Sequence, residues 1–126
     1  MIIYTDGACS GNPGPMGIGF VIYIEDKEIF KFSKSIGKGT NNIAEYTAVL
    51  EGVKKAIEIG AKGIVVRSDS QLVVQQLSGH YRIKEPHLRE LKSQIDLITK
   101  DVNVSYEYIP REENSVANDL AQAAVK

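Results

Sequence analysis

The chain has no tryptophan, one cysteine and only two histidines among its 126 residues. A single thiol, Cys9, excludes an internal disulfide and makes a reducing, cytoplasmic setting the expectation. With no Cys/His cluster, a zinc centre is not expected. No apolar run approaches the ~20 residues of a membrane span, so no membrane partner is expected. The opening MIIYTDGACSGNPG has neither a basic n-region nor a long apolar h-region, so it does not read as a signal peptide. Neither sign of charge dominates: 15 Lys and Arg stand against 16 Asp and Glu, for a net charge of −1. That excludes a coat that grips DNA through bulk charge. It leaves room for a nucleic-acid enzyme working through a local patch and bound cations. What is present is ordinary for a soluble fold, 43% hydrophobic and 25% charged. It suffices for one core, so a single domain over residues 1–126 is expected. A monomer is the expectation adopted for the chain, although composition does not set the oligomeric state.

Periodicity gives the order of elements. Residues 2–5 (IIYT) are short, apolar and β-branched and read as a buried strand. The Gly- and Pro-dense GACSGNPGPMG reads as a loop. Residues 17–24 and 28–36 form a hairpin around Glu25, Asp26 and Lys27. Thr40 caps a helix over 41–59 that ends at Gly60. A strand follows at 64–68, then a short helix over 70–78 before Gly79. Pro86 opens a further helix to about Thr99. Residues 102–108 alternate with period two. The last helix follows Pro110 and carries an apolar face of Val116, Ala117, Leu120, Ala121 and Ala124. The order β-β-β-α-β-α-α-β-α predicts an α/β fold, a mixed five-stranded sheet with helices on its faces.

Three acids stand out. Asp6 and Asp69 each follow an apolar strand directly, where ligands bind in such sheets. A lone Asp there most often caps a turn; two on strands that could be neighbours weaken that reading. Glu45 lies early in the long helix. One stripe of that helix is Ile43, Tyr46, Leu50, Val53 and Ile57. The small residues Ala44, Ala48, Gly52 and Ala56 lie roughly opposite, with Glu45 among them. A helix covered on two sides holds Glu45 in a packed region, where a carboxylate needs a cation, a donor or a raised pKa. The alternative, a capping box, fits poorly, because Glu45 is five residues from Thr40 rather than three. Converging carboxylates repel one another, and a divalent cation relieves this. Oxygen ligands suit Mg²⁺, with Mn²⁺ as the alternative ion. Two such ions about 4 Å apart can activate a water and stabilise the leaving oxygen of a phosphodiester.

Four segments carry a family resemblance: YTDGACSGNPGPMGIGFV at 4–21, TNNIAEYTAVLEGV at 40–53, SDSQLVVQQL at 68–77 and PREENSVANDLAQAA at 110–124. In this order and spacing the chain resembles type 1 ribonuclease H over essentially its whole length. The resemblance implies the ribonuclease H-like fold and Mg²⁺-dependent endonucleolytic cleavage of the RNA strand of an RNA–DNA hybrid, leaving a 5′-phosphate and a 3′-hydroxyl. It implies that Asp6, Glu45 and Asp69 hold the metal. It also implies that Asn12, Asn41, Asn42 and Gln71 contact the hybrid's backbone and minor groove. Amides suit that task, since they donate and accept toward 2′-hydroxyls and base edges. Turn and helix-start chemistry is the plainer account of the same asparagines.

The chain departs from the family twice. Where the family's last helix reads N-x-x-A-D-x-L-A, this one reads Asn114-Ser115-Val116-Ala117-Asn118-Asp119-Leu120-Ala121. The fourth carboxylate position is Asn118. Asp119 falls nearly opposite the apolar face, so Asn118 is the expected catalytic and metal-site residue and Asp119 a solvated charge. An amide oxygen ligates Mg²⁺ without negative charge, so activity is expected to be reduced or abolished, whether the change was engineered or arose naturally. A catalytically impaired hybrid-binding module and a ribonuclease H-fold exonuclease are the alternatives. The family's histidine before the last helix is also missing from IPREENS; Arg111 or Glu112 could serve a related task. His80 and His87 read as surface residues. The segment SGHYRIKEPHLRE lacks the long basic protrusion of some members but carries Arg82, Lys84 and Arg89. Cys9 has no histidine beside it in sequence and reads as a small packed residue rather than a nucleophile.

Overall fold

A computed structural model describes residues 1–125. Strands β1 (Ile2–Cys9), β2 (Gly14–Ile24) and β3 (Lys27–Gly39) form an antiparallel meander. Helix α1 (Asn41–Ile59) crosses to β4 (Gly63–Ser68), which runs parallel to β1. Helices α2 (Gln71–Leu77) and α3 (Pro86–Ile98) lead to β5 (Asn103–Tyr108), parallel to β4. A 3₁₀ turn (Arg111–Glu113) precedes α4 (Ser115–Ala124). The sheet order is β3-β2-β1-β4-β5, the mixed five-stranded arrangement expected.

The local signals act as their chemistry requires. Thr40 caps α1 by accepting from the Ile43 N–H, and Gly60 ends it at φ 110°, a left-handed conformation that glycine adopts without a Cβ penalty. Glu25 and Asp26 form the β2–β3 turn, both left-handed at φ 50° and 66°. That pairing is the type I′ turn, whose twist matches the flanking strands. Three expectations are corrected. The glycine-rich segment from Gly7 to Gly17 is mostly strand rather than loop, because Gly7–Cys9 and Gly14–Gly17 extend the ladder between β1 and β2. Asp6 therefore lies inside β1 rather than at its end. Val116, counted on the apolar face of the last helix, is 39% exposed.

The core lies between one face of the sheet and α1, α2 and α3, built on Ile3, Phe20, Ile22, Tyr46, Val53, Val66 and Ile95. Helix α4 packs on β2 and β1. Two glycines allow the helices to approach. A Cβ on Gly7 would stand 2.3 Å from the Ala44 carbonyl carbon of α1, and one on Gly19 would stand 2.6 Å from the Ala117 oxygen of α4. Both helices press on the sheet beside Asp6 because β1 and β2 carry hydrogen there. Among the described residues no helix is long and apolar enough to cross a membrane.

Candidate active site

The parallel ladder between β1 and β4 ends at Tyr4 and Arg67. Two residues further along each strand stand Asp6 and Asp69. Asp6 is still paired to Gly19 of β2, whereas Asp69 has already left β4. The strands part at this point, the carboxyl end of β4, and an opening forms where ligands bind in α/β sheets. Glu45 enters it from the second turn of α1. Its Oε1 accepts from the Gly7 N–H at 2.8 Å, a bond that depends on the bare glycine. One oxygen each from Asp6, Glu45 and Asp69 lies within 4.8 Å of the others.

Such closeness has an electrostatic cost. Burial, reinforced by the charge of Asp69, pushes the Asp6 carboxyl up to about 6. Burial first, then the charge of Asp6, holds Glu45 well above the usual carboxylate range. Asn118 and Gly7 work against the shift on Asp6: the Asn118 Nδ2 donates to Asp6 Oδ2 at 2.8 Å. Asn118 thus reaches the acids, while its neighbour Asp119 is exposed. The amide presents its nitrogen to Asp6; to offer a cation its oxygen, it must turn over.

An open groove of about 440 Å³ surrounds these acids, lined also by Asn41, Asn42, Ser70 and Arg111. Arg111, from the loop without a histidine, stands in this groove, and Glu112 lies in the neighbouring depression with Asp119. Asn41 and Asn42 face the groove. Asn12 is spent locally, its Oδ1 accepting from the Asn41 N–H at 3.1 Å. Gln71 is exposed at the start of α2 and does not line the groove. Cys9 is half-buried and donates to the Gly39 oxygen at 3.2 Å. Sequence reasoning missed Asn114. This residue is 1% exposed, and its Nδ2 donates to the Thr5 oxygen at 2.9 Å and to Asp69 Oδ2 at 3.3 Å. The signal was its place one helical turn before Asn118.

Residues 4–124 match the family model described as Reverse transcriptase-like. The fold superposes on the N-terminal RNase H domain of Rv2228c from Mycobacterium tuberculosis with a TM-score of 0.95. Identity is 36%, covering 99% of this chain and 98% of that one. RNase H1 of Halobacterium salinarum gives 0.94 at 35% identity, covering 98% and 95%. The chain belongs to the type 1 ribonuclease H family. A third ribonuclease H1 structure, LC11-RNase H1 in complex with an RNA/DNA hybrid, superposes with a TM-score of 0.93 at 40% identity, covering 98% of this chain and 95% of that one. The chain spans about a third of the length of the full Rv2228c protein, which is described as bifunctional and is 37% identical over 128 residues. The sheet order is that of the ribonuclease H fold.

Proposed function

We propose that this chain is a single-domain, monomeric, cytoplasmic ribonuclease H, an endonuclease that hydrolyses the RNA strand of RNA–DNA hybrids. The observation that carries the reading is the convergence of Asp6, Glu45 and Asp69, with ligand oxygens within 4.8 Å of one another. The donor set is all oxygen and carries up to three negative charges, which suits Mg²⁺ or Mn²⁺ and disfavours softer metals. Asp6, Glu45 and Asp69, with Asn118 beside Asp6, would hold such cations. When bound, a pair of such cations supplies water activation and charge neutralisation at the leaving oxygen.

The chain's own groups define the rest. Gly7 and α1 fix Glu45 through a backbone hydrogen bond, so the carboxylate is aimed before any ligand arrives. Asn41 and Asn42 offer amide donors and acceptors toward a hybrid's 2′-hydroxyls and base edges. Asn12 supports that reading indirectly by holding the start of α1. Gln71, on the exposed start of α2, is assigned to the hybrid's periphery. Arg111 brings a positive charge to the groove for a scissile or product phosphate.

A hybrid labelled on each strand tests the proposal. Internal cuts confined to RNA in Mg²⁺ or Mn²⁺, with 5′-phosphate and 3′-hydroxyl ends, are expected. Stepwise trimming from one end would point to an exonuclease instead. The neutral side chain of Asn118 favours one second reading, a hybrid-binding module with impaired chemistry. Binding without cutting in either ion would support it.

A further inference from the structure

Asn114 occupies the junction between the 3₁₀ turn and α4, and the residue is 1% exposed. Each hydrogen of its amide nitrogen has an acceptor, one on the Thr5 carbonyl beside Asp6 and one on the Asp69 carboxylate. Its backbone carbonyl accepts from the Asn118 N–H at 3.0 Å. One residue therefore joins the strand carrying Asp6, the carboxylate of Asp69 and the helix turn carrying Asn118. The orientation of the amide follows from its partners: turned over, its oxygen would face two acceptors. The consequence is that Asn114 Oδ1 is buried with no hydrogen-bond partner. A residue selected only to fill space would not bring an orphaned acceptor into the interior.

The geometry points to Asn114 as a positioning residue that holds the Asp69 carboxylate in the orientation needed to bind a divalent cation. With Oδ2 held by Asn114, Asp69 no longer rotates freely about its last bond, and its remaining lone pairs stay available toward Asp6 and Glu45. The inference rests on the metal-binding reading above and adds to it a residue outside the acidic set. Groups that hydrogen-bond a metal ligand typically change metal affinity by 10- to 100-fold when removed.

Mn²⁺ titration of the full chain, read by calorimetry or by the resonance of free Mn²⁺, tests it without reference to catalysis. Wild type, Asn114→Ala, Asp69→Ala and the double variant are compared well below their melting temperatures. The expected result is about a tenfold loss of Mn²⁺ affinity for Asn114→Ala in the wild-type background and less than twofold in the Asp69→Ala background. Asn114→Ser, a smaller side chain that keeps one donor, is expected to fall between wild type and alanine. It provides the same comparison if the alanine variant does not fold. In the unaltered protein, Mg²⁺ is expected to shift the Asn114 side-chain amide resonances, and to leave them in place in Asp69→Ala. A lowered melting temperature with unchanged Mn²⁺ affinity would reduce Asn114 to a structural role and overturn the inference. Equal losses in both backgrounds, or amide resonances indifferent to Asp69, would also overturn it. Absence of Mn²⁺ binding by the wild type would instead overturn the metal-binding reading, and this inference with it.

Discussion

Replacing Asn118 with aspartate changes one atom type at the most crowded point of the site, and its cost to stability should shrink when cation is bound. In wild type the Asn118 amide donates to Asp6 Oδ2 at 2.8 Å. Asn118→Asp removes a hydrogen bond to a charged group, worth about 1.5–3 kcal/mol. It also sets a fourth carboxylate against Asp6. At about 4 Å and an effective dielectric of ~20, two full charges repel by about 4 kcal/mol. Protonation limits that cost. Asp6 already titrates at about 6, so taking up a proton at pH 7 costs only about 1.4 kcal/mol. The net loss in EDTA at pH 7 is then about 2–4 kcal/mol, a fall in Tm on the order of 10 °C. In saturating Mg²⁺ or Mn²⁺ the added carboxylate becomes a ligand. The variant should then gain more Tm from cation than wild type, by about 1.4 kcal/mol for each tenfold by which its Kd is tighter at a saturating cation concentration. Hybrid cleavage should rise in parallel. Thermal melts in EDTA and across a Mg²⁺ series, with cleavage assays on the same samples, measure all three. The same EDTA Tm for variant and wild type, an unchanged cation response, and loss of activity on Asp119→Ala would together refute the reasoning and move the fourth ligand to Asp119.

The raised Asp6 carboxyl predicts a pH dependence of the cation-free protein. Its folded value of about 6 exceeds the ordinary 3.8, so the folded state binds the extra proton between them. The associated stability is complete below about pH 3.8, is lost as pH rises through about 6, and amounts to at most about 3 kcal/mol. Denaturant titrations in EDTA from pH 4.5 to 8 should show wild type losing stability relative to Asp6→Asn as pH rises; a gain would contradict the burial of Asp6. Cation affinity should move oppositely, weakening below about pH 6 as protons compete for the same oxygens. Gly7→Ala should cost about 1–3 kcal/mol, because its Cβ would meet α1 at 2.3 Å. The same substitution should disturb the Glu45 hydrogen bond, so Mn²⁺ affinity should fall with Tm, whereas Gly63→Ala, with open space around its Cα, should leave Mn²⁺ affinity unchanged. At the β2–β3 turn, combining Glu25→Asn with Asp26→Gly should stabilise the fold by about 1 kcal/mol, because both positions are left-handed. A drop in Tm would show that these side chains serve something other than the turn.

Much of the site was legible before any coordinates. Asp6 and Asp69 stood out because two acids, each directly after an apolar strand, are less readily explained as turn caps than one alone. Glu45 stood out because small residues on its side of α1 implied a covering layer, and Gly7 and β1 supply it. The family register and the helical period together separated Asn118 from Asp119, and Asn118 donates to Asp6. The amides divided differently. Asn41 and Asn42 line the groove, Asn12 is used as a local acceptor, and Gln71 stands away from it. Composition does not distinguish an amide that faces a ligand from one that satisfies a backbone N–H.

Element order, helix caps and the outward turn of Asp119 follow from the sequence by itself, because each depends on neighbours within about one turn of helix or two residues of strand. Tertiary structure decided three other matters: that β1 runs on past Asp6, that α1 closes on Gly7, and that Asn114 spans 109 residues to reach Thr5. These are long-range fits between backbones and buried polar groups. They leave no periodic trace along the chain, since the atoms that satisfy each other are brought together only when the sheet and both helix layers have packed.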